Sequence, residues 1–229
     1  MSGAAHATRS AAIHAELRAQ ILTGAHAPGD ALPSERQLSD ELGASRHAVR
    51  EALKRLQQAG LVRIAQGGAT RVRDWRRAGG LDLLLALGAE GDPPPELGLA
   101  RATLEMRASV GADAARLAAR RATTAQRAEL EARAEAIAEE ADLAERLPVY
   151  DALWDLVVEA SGNLAYRLAL NTLVAGQRVL PFDARTVGAE LADPPAIRAL
   201  TAAIAAGDEP GAHAAGRALL DRSIPSEEA

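Results

Sequence analysis

The chain has 229 residues, 48% of them hydrophobic but only 2% aromatic, and it has no cysteine. That length admits two domains, and the missing thiols exclude disulfides and thiolate metal sites. The net charge of −5 conceals an asymmetry: residues 1–77 hold 12 Lys+Arg against 7 Asp+Glu, whereas residues 78–229 hold 14 against 24. A module at +5 favours phosphate contact, and one at −10 discourages it. No apolar run approaches bilayer-spanning length, and the opening MSGAAHATRS lacks the apolar core of a secretory signal. The expectation is a cytoplasmic protein with no membrane partner.

Residues 1–10 read as a flexible tail. The informative stretch is Leu32 to Arg73, LPSERQLSDELGASRHAVREALKRLQQAGLVRIAQGGATRVR. Ser34 stands three residues before Gln37, the spacing of a capping box. Leu38 and Leu42 lie one turn apart, and Gly43 can end that helix in a left-handed conformation. Ser45 caps the next helix, in which Val49, Ala52, Leu53 and Leu56 recur as one apolar stripe. Gly60 closes it. Arg46, Arg50 and Lys54 share a different face, with His47 beside them. Leu61 to Arg73 then alternates Val62, Ile64, Thr70 and Val72 against Arg63, Arg71 and Arg73, with Gln66-Gly67-Gly68 as the turn of a hairpin.

Two helices followed by a hairpin make a winged helix-turn-helix over residues 11–74, whose chemistry is to lay a helix in the major groove. Such a helix enters by its N-terminal end, so Ser45, Arg46, His47 and Arg50 are the groups that reach base edges and flanking phosphates. Arginine suits the task because its planar fork grips guanine or phosphate with two donors. Arg36 is placed to touch backbone or an adjacent base. Gln66, Gly67 and Arg71 form a wing that approaches phosphate or the minor groove. The bland alternatives are a solvated basic face and an ordinary hairpin. The partner implied is double-stranded operator DNA.

The segment LPSERQLSDELGASRHAVREALKRLQQAGLV resembles the DNA-binding domain of the GntR family of bacterial transcription regulators, over Ala11 to Arg73. The resemblance implies that Arg36, Arg46 and Arg50 correspond to operator-contacting arginines and that Gln66 and Gly67 form the wing tip. His47 and Ala48 fall where the family tunes its sequence preference.

Residues 75–80 read as a linker. From Leu81-Asp82-Leu83 to residue 224 the pattern is helical, with Asp92-Pro93-Pro94-Pro95 as a rigid connector. Breaks are expected near Thr123-Thr124, Pro148, Ser161-Gly162-Asn163, Pro181, Pro194-Pro195 and Gly207-Asp208. Without strand alternation this predicts an antiparallel bundle of six or seven helices, and a mainly α chain overall. Glu129, Glu131, Glu135, Glu139 and Glu140 follow one Ala-rich helix as a solvated face. No nucleophile elbow, phosphate-cradling glycine loop or metal cluster appears, so no enzyme is expected.

The pieces LARATLEMRASVGADAARLAAR, YDALWDLVVEASGN and AIRALTAAIAAGDEPGAHAAGRALLDRSI resemble the effector domain of the FadR subfamily. Arg101 and Glu105 fall on its Arg-x-x-x-Glu helix and Asn163 on the cap of a later one. Many such domains hold a metal through one Asp and three His. Here Tyr150, Trp154, Ile197 and Leu219 stand at those positions, Asp151 is displaced by one residue and His213 is isolated, so no metal or other cofactor is expected. ASGNLAYRLALNTL and W…GGLDLLLAL further resemble the fatty-acid-responsive branch, which implies an acyl-CoA or other small carboxylate effector. Arg101, Trp154, Tyr166 and Asn171 are its candidate contacts. For Trp154 and Tyr166 the alternative is core packing, and for Arg101 an ion pair with Glu105. Because one recognition helix reads one half-site, a homodimer on a palindromic operator follows. A bundle that only dimerises and senses nothing is the competing expectation.

Overall fold

The computed structural model describes residues 2–65, 68–81, 83, 98–177 and 185–225. It divides into two compact units, Met1–Leu97 and Gly98–Ala229. The first unit thus runs past residues 75–80, the stretch read as a linker.

In the first unit α1 spans Ser2–Leu22, reaching into the stretch read as a flexible tail. Ile13, Leu17 and Ile21 recur every four residues and are buried, and α1 packs against α3 (Arg46–Gln58). Ser10, His14 and Arg18 are buried too and repeat at the same spacing. They interleave polar groups with the apolar ones, which is why hydrophobic periodicity did not announce this helix.

The helix α2 (Glu35–Glu41) starts on the expected capping box: the Gln37 amide donates to Ser34 Oγ at 3.3 Å and the Ser34 amide to Gln37 Oε1 at 3.0 Å. Gly43 follows it at φ +56°, and Ser45 Oγ accepts from the Ala48 amide at 3.2 Å to open α3. The predicted stripe of α3 is the core of the unit, with Val49, Ala52 and Leu56 fully buried. Gly60 takes φ +74°, and the chain turns into the hairpin β1 (Val62–Ile64) and β2 (Thr70–Val72), paired Val62 to Val72 and Arg63 to Arg71. One feature was invisible as sequence: residues 29–32 run alongside β2, with Leu32 donating to Thr70 O at 2.8 Å and Val72 to Asp30 O at 2.9 Å. The short α4 (Trp75–Ala78) follows, its buried Trp75 stacked under the Arg76 guanidinium at 4.2 Å.

The second unit holds seven helices among the described residues: α5 (Leu99–Arg121), α6 (Thr124–Glu139), α7 (Leu143–Ala160), α8 (Leu164–Gln177), α9 (Arg185–Leu191), α10 (Pro194–Ala206) and α11 (Glu209–Leu220). A 3-10 turn, Asp221–Ser223, ends it. The expected start at Leu81–Leu87, the Asp92–Pro95 connector and the Pro181 break lie largely or wholly outside the described residues.

The central helix is α5, which packs against α7, α8, α10 and above all α11. Small side chains permit the close approach: a Cβ on Gly216 would lie 3.4 Å from the Ala112 Cα. Thr123, Asp193 and Asp208 cap their helices where breaks were expected, and Gly207 takes φ +72° between two of them. Pro148 departs from expectation because it lies inside α7. Its missing amide removes one helical bond and its ring crowds the carbonyl one turn back, yet the helix runs on, and the real break comes earlier, at Asp142, whose Oδ1 accepts from the Ala144 amide at 2.8 Å. Arginines finish several helix ends: Arg127 alone donates to the carbonyls of Ala119, Ala122 and Ala205. Glu129, Glu131, Glu135 and Glu139 are exposed along α6.

Candidate DNA interface and effector cavity

The cap of α3 sets the first site. With Ser45 fixing the helix start, Arg46, His47 and Arg50 emerge on the exposed face of its first turns, and Arg36 emerges exposed from the start of α2. Arg50 does not float. Its Nε lies 3.1 Å and its Nη2 2.7 Å from the two carboxylate oxygens of Glu35, so a bidentate pair ties α3 to α2. Arg50's hydrogen bond, helped by its charge, holds the Glu35 carboxyl below its ordinary range despite partial burial. The Arg50 side chain remains 56% exposed, so the guanidinium is oriented yet reachable. Lys54 pairs with Glu51 at 2.9 Å on the same helix.

Arg71 stands exposed on the wing, and its Nη1 donates to the Gly29 carbonyl at 2.9 Å. This bond anchors the side chain to the added third segment of the sheet. Gln66 and Gly67, the expected wing tip, lie outside the described residues. Glu35 was not expected at this site; it stands one residue after the Ser34 cap, and only the packing of α2 on α3 brings it to Arg50.

The second site is a cavity of about 330 Å³ in the helical unit, a volume typical of small-molecule sites. It is lined by Arg107 and Gly111 from α5, Asp151, Trp154, Asp155 and Val158 from α7, Arg167, Leu170, Asn171 and Val174 from α8, Val187 from α9 and Leu220 from α11. Two of the four expected contacts, Trp154 and Asn171, therefore line it.

The other two are placed elsewhere. Arg101 pairs with Glu105 at 2.7 Å and donates to the Pro225 carbonyl at 2.9 Å. Tyr166 donates its hydroxyl to Asp113 at 2.8 Å. Both are thereby committed to intramolecular bonds outside the cavity lining. The cavity's arginines are instead Arg107 and Arg167. Arg107 was legible in principle, because it interrupts the buried stripe of Leu104, Ala108, Gly111 and Ala115 on α5. A basic residue there requires a buried counter-ion.

That counter-ion is Glu190 of α9, which is fully buried. Arg107 Nη1 and Nη2 donate to its two oxygens at 2.5 and 2.9 Å, and the hydroxyls of Tyr150 and Ser223 also donate to it. Burial works against the Arg107 charge, but the Glu190 carboxylate outweighs it, and the guanidinium is held above its ordinary value. Burial, reinforced by the same carboxylate, pushes the Tyr150 phenol well above its usual range. Four elements of the unit thus meet at one anion.

The residues do not fit a metal of the Asp-and-His type. Tyr150 spends its hydroxyl on Glu190, Trp154 offers an indole edge-on to Tyr150 at 6.4 Å, and Ile197 and Leu219 are fully buried aliphatic groups. Among the described residues no group of three or more His, Asp or Glu side chains is arranged to hold a metal ion.

Comparison with known proteins bears on both sites. The model of "Bacterial regulatory proteins, gntR family" matches residues 9–72, and the FCD domain matches residues 102–222. The HTH-type transcriptional regulator Mce2R of Mycobacterium tuberculosis is 38% identical over 207 residues, covering 90% of this chain and 86% of its own. A fatty acid metabolism regulator protein from Shewanella pealeana is 39% identical over 85 residues, 37% of this chain and 35% of its own. A GntR family member from Pseudomonas syringae, with a TM-score of 0.52 at 20% identity, covers 94% of this chain and 83% of its own, and shares the fold. These families and relatives are transcription regulators rather than enzymes. No helix among the described residues is long and apolar enough to cross a membrane. The chain belongs to the GntR family of DNA-binding transcription regulators and carries an FCD domain of the FadR type behind its winged helix-turn-helix.

Proposed function

We propose that this regulator binds a palindromic operator as a homodimer in the cytoplasm and is switched by a small amphipathic acid that enters the helical unit without a metal. The carrying observation is the 330 Å³ cavity, whose apolar walls (Leu170, Val174, Leu220) surround a few polar groups: Arg107, Arg167 and Asn171, with the carboxylates Asp151 and Asp155, the latter paired with Arg167. A cavity of this composition suits an acyl chain or a small carboxylate. If the effector is an acyl-CoA, the acyl part is what it holds. Arg46, His47 and Arg50 would read base edges, with Ser45, Arg36 and Arg71 positioned on flanking backbone. The effector would act by binding one arrangement of the two DNA-reading units better than another.

A second reading, a bundle that only dimerises, draws on a specific observation. Both cavity arginines are already paired, Arg107 with Glu190 and Arg167 with Asp155 at 2.7 Å. One experiment separates the two. Acyl-CoAs, organic acids and sugar acids are screened by thermal shift, and each hit is tested for its effect on operator affinity. Val174→Trp, at a partly exposed lining position, should fill the cavity and abolish the response while leaving DNA binding intact. Absence of any response from the unmodified protein would favour the dimerising role.

A further inference from the structure

Glu190 occupies a place that an effector would want. Its carboxylate takes two Arg107 donors and two hydroxyl donors, a complete set for a carboxylate in a buried site. Arg107 also lines the cavity, and so does Val187, one turn before Glu190 on the same short helix. Arg107 therefore joins the cavity lining to the chain's own buried anion.

The remaining ties of α9 cluster nearby. Arg146 of α7 donates to the Leu191 carbonyl at 3.0 Å, and Arg222 beside Ser223 pairs with Asp193 just beyond the helix. At only seven residues, α9 cannot hold its helical form by itself. Its position rests on these polar contacts and on packing against α7 and the closing 3-10 turn.

We propose that Glu190 is the resident occupant of the effector's acidic subsite, and that a carboxylate ligand replaces it at Arg107, freeing α9 and the 3-10 turn that carries Ser223. This rests on the cavity being the effector site. The exchange conserves charge: Arg107 keeps one carboxylate partner throughout, so it is never left buried alone. What changes is which element the anion belongs to. With Glu190 in place the carboxylate stitches α5, α7, α9 and the C-terminal turn together, and with a ligand in place the stitch to α9 is lost. The apolar walls then select for the ligand's tail, and Glu190 sets the threshold that its acid group must overcome.

The test uses the full chain with octanoate as the probe and octanol as its uncharged match, read by calorimetry. Glu190→Gln removes the competing charge while keeping the side-chain shape. Octanoate should then bind about tenfold tighter or more, with octanol unchanged. In the unmodified protein, saturating octanoate should speed amide hydrogen exchange across residues 185–191. Parallel shifts for the two probes, or unchanged exchange at saturation, would overturn the proposal. Glu190→Ala gives an independent reading: acetate should raise its melting temperature but not that of the unmodified protein. If acetate rescues that variant yet octanoate binding to the unmodified protein survives Val174→Trp, the assignment of Glu190 at Arg107 stands and the cavity as effector site falls. Failure of acetate rescue together with an unshifted Glu190→Gln overturns the assignment itself.

Discussion

At the residue scale the two sites use the same device, an arginine held by a carboxylate, in opposite solvents. Arg50 and Glu35 meet at the surface, where the pair contributes orientation more than stability. Because Arg50 pulls the Glu35 carboxyl below its ordinary range, the pair is intact above the unfolded carboxylate range and is lost as pH falls through the folded value. Glu35→Gln should therefore mimic acid, loosening Arg50 and removing a negative charge beside DNA. Its expected signature is a smaller ratio of operator to scrambled-duplex affinity, measured by fluorescence anisotropy. Arg46→Ala or Arg50→Ala should cost about 1–3 kcal/mol of operator binding; unchanged affinity would remove these side chains from the interface. Arg107 and Glu190 meet in the core instead. Removing either partner alone should cost about 3–5 kcal/mol in urea unfolding, while Arg107→Met with Glu190→Met should cost far less, because no buried charge is stranded.

At the element scale, local chemistry decided the helix ends and long-range contacts decided the exceptions. Ser34, Ser45, Gly43 and Gly60 sit where cap and turn chemistry demands, and α2, α3 and the hairpin follow from them. Ser45→Ala should cost about 1 kcal/mol in thermal unfolding and weaken operator binding further by fraying the end of α3 that carries Arg46. The exceptions share one cause. The chain beside β2 at residues 29–32 bonds Thr70 and Val72, and the polar stripe of α1 is buried in a helix packed on α3, partners distant in sequence. Local propensity carries no record of such partners.

At the scale of the whole molecule, charge separates the work. Residues 1–77 balance at +5 and residues 78–229 at −10, so DNA attraction is confined to one part of the chain. Operator affinity should fall steeply with salt, with a log–log slope near −0.9 per phosphate neutralised, and Arg36→Ala or Arg71→Ala should flatten that slope by about one each. A titration series in potassium chloride measures it. The proposed homodimer predicts half-sites spaced by about one helical turn of DNA or a multiple of it, which footprinting would report.

By itself the sequence determined the DNA-reading head, because caps, glycine turns and hydrophobic period act over a few residues and leave legible traces. It also determined that Tyr150, Trp154, Ile197 and Leu219 offer no imidazole or carboxylate ligands. Of the four contacts it named, Trp154 and Asn171 line the cavity, whereas Arg101 and Tyr166 bond elsewhere within the helical unit. Only the tertiary structure decided between them, since the partners that commit Arg101 to Pro225, Tyr166 to Asp113 and Arg107 to Glu190 lie 124, 53 and 83 residues away. A side chain's availability for a ligand depends on who else has claimed it, and that competition is settled when the helices pack.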